Sequence, residues 1–209
     1  MFKRHPFLRA IVIFIECWLI GLAVLAIMYF AYIRDWQMNW GASDEDISRV
    51  MVGDELRTDP ELNATRAVII KGSPEQIWPW LVQMGYNRGG FYAFDKLDHG
   101  GIPSADSIIP EFQNLQVGDT ITFLQVVEMV PNESMLWVFL PHLGGWGGGT
   151  WSWGLYPIDD QHTKLVSRLR QNYTYDSIQE IIMWSMMDAL EIVMMRTSML
   201  GIKHRVEGG

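Results

Sequence analysis

Residues 164–200 read KLVSRLRQNYTYDSIQEIIMWSMMDALEIVMMRTSML, and the change of rhythm inside that stretch decides the fold. Residues 164–173 make a long strand. Leu165 and Leu169 share one face and Arg168 and Arg170 the other, because side chains alternate along a strand. The leucine face reads as the core side and the arginine face as solvated. Asp176 or Ser177 then caps a helix that runs to Leu200. Its apolar positions Ile178, Ile182, Met186, Ala189, Val193 and Leu200 recur near helical spacing. Gly201 reads as its stop, with Lys203, His204 and Arg205 placed to suit a helix C-terminus. The helix is long enough for a membrane span. Asp188, Glu191 and Arg196 argue against that, since a charge at the bilayer centre costs about 2.5–3.5 kcal/mol. An amphipathic helix packed on a sheet is the better reading.

The residues upstream supply the sheet. Val117-Gly118-Asp119 introduces a strand from Thr120 that can extend to Val130, and Pro131-Asn132-Glu133-Ser134 turns the chain into a strand over 135–140. Trp151, Trp153 and Tyr156 space out a further strand over 150–156, and Asp159-Asp160-Gln161-His162 forms the turn before residue 164. Residues 142–149 are a glycine-rich connection. Earlier still, 67–71 is a β-branched strand. Ser73-Pro74-Glu75-Gln76 opens a helix with Ser at the cap, Pro at the first helical position and Gln three residues after the cap. Residues 86–117 are irregular and rich in Gly, aromatics and Asp. The order is strand, helix, irregular stretch, antiparallel strands, long helix, which predicts an α+β domain with its sheet wrapped around the last helix.

The N-terminal segment is of another kind. Residues 10–33 are apolar apart from Glu16 and reach about 36 Å as a helix, enough to cross a bilayer core of about 30 Å. A cleaved signal peptide has a shorter apolar run and a small-residue cleavage site, and this run exits instead through MYFAYIR at 28–34. Residues 1–9 form a basic tail with Lys3, Arg4 and Arg9, which favours a cytoplasmic N-terminus and a domain on the outer side. Trp36 and Trp40 are expected near the far interface. Residues 34–65, acidic and without strong periodicity, read as a connector, with Ser43-Asp44-Glu45-Asp46 able to cap a short helix. Glu16 reads as hydrated near the headgroups, or else as the contact for a membrane-protein partner.

Bulk properties narrow the function classes. The chain has 209 residues, 49% apolar and 19% charged, so one domain plus an appendage should fold. A net charge of −8 does not suit neutralising phosphates, which excludes nucleic acid as an expected partner. The single cysteine, Cys17, lies in the apolar segment, so no internal disulfide can form. His99, His142 and His162 have no paired spacing, so no metal site is expected. The run Gly144-Gly145-Trp146-Gly147-Gly148-Gly149 lacks the Lys-Ser/Thr of a phosphate loop, and no dinucleotide fingerprint is present. No cofactor is expected.

Several blocks carry a family resemblance over residues 39–205. They are Asn39-Trp40-Gly41-Ala42, Gly53-Asp54-Glu55-Leu56 and Ala64-Thr65-Arg66-Ala67. Next come Trp78-Pro79-Trp80-Leu81-Val82-Gln83-Met84-Gly85 and Arg88-Gly89-Gly90-Phe91-Tyr92. Ser104-Ala105-Asp106, Pro110-Glu111-Phe112-Gln113 and Val117-Gly118-Asp119 complete the set. With the element order, they resemble a bacterial, membrane-anchored branch of the START-like (SRPBCC) superfamily, the polyketide cyclase/dehydrase and lipid-transport group. The resemblance implies a helix-grip domain over 66–205 whose sheet and C-terminal helix enclose a cavity for an apolar or amphipathic molecule. Some members catalyse cyclisation or dehydration and others only bind, and fold alone does not choose between them.

The candidate site residues follow. Trp78, Trp80, Trp137, Trp151, Trp153 and Trp184 are candidates for the cavity wall, although any one of them taken singly suits an ordinary core. Trp146 belongs to the same set of tryptophans. Met187, within a helix rich in Met, is a wall candidate because methionine adapts to varied apolar ligands, and it equally suits gap-filling. Arg88, Tyr92, Asp95, Asp98 and His99 gather in one irregular stretch. Tyr92 could contact a ligand, and Tyr92, Asp95 and His99 could move protons at a cavity mouth, whereas the plainer reading is a loop whose Asp residues cap turns. Three functions follow as expectations. The first is a membrane-anchored domain that binds a hydrophobic or lipid-like molecule. The second is a cyclase/dehydratase-type enzyme, and the third an interaction protein of a membrane complex.

Overall fold

A computed structural model describes residues 6–143, 148–173 and 176–208. Trp146 and most of the glycine run around it lie outside the described residues. The chain divides into two units, Met1–Gln37 and Met38–Gly209.

In the first unit, α1 spans Pro6–Met28 and a π-helical stretch follows at Tyr29–Ile33; α2, Arg34–Met38, ends on the first residue of the second unit. The helical run from Pro6 is long and apolar enough to cross a membrane, and none of the side chains in its apolar window is buried. Within the unit, the Gln37 amide donates to the Tyr29 hydroxyl at 2.8 Å.

The second unit is the α+β domain. Its elements are α3 (Asp44–Ser48), β1 (Leu62–Lys71), α4 (Pro74–Val82), α5 (Asp95–Asp98), β2 (Thr120–Ile121), β3 (Leu124–Val130), β4 (Ser134–Phe139), β5 (Gly149–Asp159), β6 (His162–Gln171) and α6 (Ile178–Val206). The six strands form one antiparallel sheet in the order β1-β6-β5-β4-β3-β2. Local signals place most boundaries. Gln76 Oε1 accepts from the Ser73 amide at 2.9 Å and closes the start of α4. Ser177 caps α6, its hydroxyl accepting from the Glu180 amide at 3.2 Å. Long helix and antiparallel sheet together make the helix-grip arrangement expected from the sequence.

Several features differ from the expectations. The strand expected to run from Thr120 toward Val130 is two, β2 and β3, paired antiparallel with Ile121 opposite Leu124. Strand β1 begins at Leu62 rather than residue 67, because its full length pairs with β6, from Leu62 opposite Gln171 to Lys71 opposite His162. Helix α6 does not stop at Gly201 but continues to Val206. A side chain at Gly201 would collide with the Tyr92 backbone, so the glycine marks a close approach of two segments rather than a helix end.

A further correction concerns the arginine face of β6. Arg168 is 2% exposed rather than solvated. Its five N–H groups meet five acceptors: Nε reaches Thr65 Oγ1 (2.9 Å), Nη1 reaches Arg49 O (2.7 Å) and Asp54 Oδ2 (2.6 Å), and Nη2 reaches Asp46 O and Ile47 O (2.9 Å each). Arg170 Nη1 donates to Asp54 O and Arg57 O, both at 2.8 Å. Residues 42–57 thus cover the convex face of the sheet, where Met51, Ala67 and Val166 form a small apolar cluster. The stretch expected as a connector is in this part a layer of the domain. Trp40, expected at the membrane interface, also packs on the domain core, and Arg196 lies over its ring at 5.0 Å.

Candidate functional site

The concave side of the sheet divides into a filled end and an open end. At the filled end, Trp78, Trp80, Leu81 and Met84 pack with Met135, Trp137 and Trp153, and Trp137 and Trp153 have no exposed surface. Gln113 and Gln83 knit the neighbouring loop to α4, Gln83 Oε1 accepting from the Ile109 amide at 2.9 Å. Toward the other end the strands and α6 diverge around a cavity of about 580 Å³. That lies within the ~300–1,000 Å³ typical of small-molecule sites.

Aromatic rings form one wall. Phe91, Trp151 and Phe139 lie nearly parallel, Trp151 being 6.4 Å from Phe91 and 6.5 Å from Phe139, and Phe123 continues the row 6.0 Å beyond Phe139. Trp151 is held by its Nε1, which donates to Ser167 Oγ at 2.8 Å. Tyr173 and Trp184, stacked at 4.2 Å, close the far side. Helix α6 contributes Met187, Leu190, Glu191, Met194, Met195 and Ser198, and the irregular stretch contributes Tyr86, Ala93, Leu97 and Asp98.

Polar groups on this wall are few. Glu191 pairs with Arg66 through Oε1 at 2.6 Å, and burial raises the Glu191 pKa above the ordinary carboxylate range against the opposing pull of Arg66. Asp98 is likewise raised, chiefly by burial, and its Oδ2 accepts from the Phe94 amide at 3.2 Å. Asp98 Oδ1, Ser198 Oγ and Trp184 Nε1 are buried atoms with no hydrogen-bond partner among the described residues. These atoms are closed off from the cavity space as well as from solvent, and each orphaned buried polar atom costs about 1–3 kcal/mol.

The structure distributes the expected site residues unevenly. Trp151, Trp184 and Met187 line the cavity. Trp78, Trp80, Trp137 and Trp153 belong to the filled end. Tyr92 is buried away from the cavity wall. Its hydroxyl donates to Trp80 O at 3.0 Å, and burial raises its pKa well above the ordinary tyrosine value. Asp95 Oδ1 accepts from Ser104 Oγ at 2.6 Å. His99 is 4% exposed and stands edge-on to Tyr86 with ring centroids 6.0 Å apart. Tyr92, Asp95 and His99 therefore do not converge on the cavity, and from the 88–99 block it is Phe91, Ala93, Leu97 and Asp98 that reach it. The block works as a clasp. Tyr92 adopts a left-handed backbone, φ 59°, and is held there by its hydroxyl, by Ser104 Oγ accepting from its amide at 3.1 Å and by Arg205 over its ring at 4.6 Å. Among the described residues no three His, Cys, Asp or Glu side chains gather as metal ligands.

The sequence reading placed Asp98 in the candidate polar stretch but missed Phe91, Phe123, Phe139 and Tyr173 as wall residues. Strand alternation could have found Phe139, which lies two residues beyond Trp137 on the same face. Nothing in the sequence marked the others.

No family model matches the chain, and no curated protein matches it. Solved structures do. The Aha1 dimer structure from Colwellia psychrerythraea is 18% identical with a TM-score of 0.42, over 69% of this chain and 96% of that one. A polyketide-cyclase-like protein from Corynebacterium glutamicum is 14% identical with a TM-score of 0.38, over 69% and 91%. The di-domain ARO/CYC protein of the steffimycin biosynthetic pathway is 10% identical with a TM-score of 0.41, over 75% and 54%.

Proposed function

We propose that this protein is a membrane-anchored helix-grip domain that binds a hydrophobic or lipid-like small molecule in the cavity between β4–β6 and α6. The observation that carries the reading is the cavity itself: about 580 Å³, walled by Trp151, Phe139, Tyr173 and Trp184. A space of that size with an apolar lining leaves dispersion contacts unmade, which an apolar guest restores. The helix from Pro6 supports the anchor, because such ligands concentrate in lipid. The N-terminal basic residues favour the cytoplasmic side for the tail and the outer side for the domain.

The test is native mass spectrometry of the full chain released from detergent micelles, beside a Met194→Trp variant that fills the cavity. The wild type should retain an adduct that is lost in the variant while its thermal midpoint stays close to wild type. A wild type that carries no adduct and takes up no fatty acid, sterol or phospholipid overturns the reading.

A second reading, a cyclase/dehydratase-type enzyme, has one observation in its favour: the Asp98 carboxyl on the cavity wall, whose raised pKa suits proton transfer. It would run on Asp98 rather than on Tyr92, Asp95 and His99. Chemical alteration of the retained molecule by wild type but not by Asp98→Asn would establish it.

A further inference from the structure

The two halves of α6 bury very different surfaces. In the second half, Met195, Ser198, Met199 and Ile202 face the domain interior. In the first half, from Ile178 to Val193, only Trp184, Asp188 and Ile192 are buried, a narrow stripe at every fourth residue. The opposite side presents Ile178 (74% exposed), Ile182 (55%), Met186 (62%), Leu190 (43%) and Val193 (45%). No exposed position of this half is charged. Its three acids turn elsewhere: Glu180 Oε2 accepts from the Asp176 amide at 2.8 Å, Asp188 accepts from the Tyr173 hydroxyl at 3.1 Å, and Glu191 pairs with Arg66. A helix built to face water carries its charges on the outer face, and a row of exposed aliphatic residues without charge marks a surface that is covered in use.

We infer that the cover is lipid: the outer face of Ile178–Val193 docks on the bilayer surface and holds the cavity mouth against it. The inference rests on the anchoring reading above. The tether argues for this occupant. Met38, the first residue of the domain, packs with Leu62, Leu169, Tyr173 and Trp184. Five positions separate it from Ile33, where the apolar run ends, a reach of at most about 17 Å even for extended chain. Trp184 sits in the middle of the stripe-bearing half, so a tether of this length allows that half to reach lipid. The stripe is also continuous with the cavity: Leu190 and Leu97 line the cavity yet are 43% and 70% exposed, which places them at its rim. An uncharged helix face of this kind lies in the headgroup boundary. A guest could then pass between bilayer and cavity without crossing water.

The experiment uses the full chain with Cys17→Ser, reconstituted in phosphatidylcholine vesicles and carrying one nitroxide at a time. Labels at Met186 and Leu190 test the face. A label at Leu22 in α1 reports the anchor, and one at Ile158, 51% exposed at the end of β5, serves as a reference for water. Labels at Met186 and Leu190 should be relaxed preferentially by oxygen, as at Leu22, and be several-fold less accessible to a water-soluble nickel complex than Ile158. Lipid accessibility at Leu22 with Met186 and Leu190 behaving like Ile158 overturns the docking face and leaves the anchor standing. Water accessibility at Leu22 overturns the anchor and the docking face with it. Spin–spin broadening at Met186 that persists in detergent shows a second copy covering the face and also overturns the inference.

Discussion

Arg168 shows how one residue can tie a surface layer to a sheet. All five of its donors are used, on backbone and side-chain oxygens from α3, the loop after it and β1. Replacing Arg168 with Met removes the charge but strands the acceptors. The expected loss is about 3–5 kcal/mol, read from denaturant unfolding of the full chain in detergent, and Lys should rescue little because it lacks the fork. Asp98 provides a pH-dependent counterpart. Its pKa is raised in the folded state, so its favourable contribution is present below the unfolded carboxylate value near 3.9 and is lost as pH rises through the folded value. The stability of wild type relative to Asp98→Asn should therefore fall as pH rises above about 4. A pH-independent difference would mean that the carboxyl is hydrated. Tyr92 and His99, attractive as acid–base candidates in sequence, are occupied by packing, which no residue type or spacing could reveal.

Among the elements, α6 was legible in type and start but not in extent. Gly201 after Leu200, followed by basic residues, has the composition of a helix end, yet the helix passes through because Tyr92 approaches the backbone there. Opposing effects make this testable. On propensity alone, Gly201→Ala should stabilise an interior helix position by about 1 kcal/mol. The Cβ would instead strike the Tyr92 carbonyl, so a net destabilisation of about 1–3 kcal/mol is expected from thermal unfolding. Strand β5 teaches a related lesson. Alternation correctly sets Trp151 and Trp153 on one face, but Trp153 is sealed under α4 and Trp151 faces the cavity. Position along the strand relative to a remote helix decides which tryptophan meets a ligand.

For the whole molecule, the boundary that matters lies at Met38, ahead of the convex-face layer. A fragment of residues 38–209 should be folded and keep the thermal midpoint of the full chain's domain. A fragment beginning at residue 58 loses Asp46, Asp54 and Met51, uncovering Arg168 and Val166, and should aggregate or unfold. Circular dichroism and size-exclusion chromatography of the two fragments check this. What the sequence by itself determined was local and periodic: an apolar helix long enough for a bilayer, the order and type of most elements around an antiparallel sheet, the cap at Ser73, the start of the last helix at Asp176 or Ser177, and the leucine face of β6 as core. Each follows from backbone geometry and side-chain alternation within a few residues. The tertiary structure alone decided that Arg168 is buried, that α6 runs on through Gly201, and that the open space lies between Trp151 and Trp184 rather than around Trp137 and Trp153. Those outcomes depend on where distant segments come to rest on the sheet, and pairwise packing of that kind leaves no periodic trace in the chain.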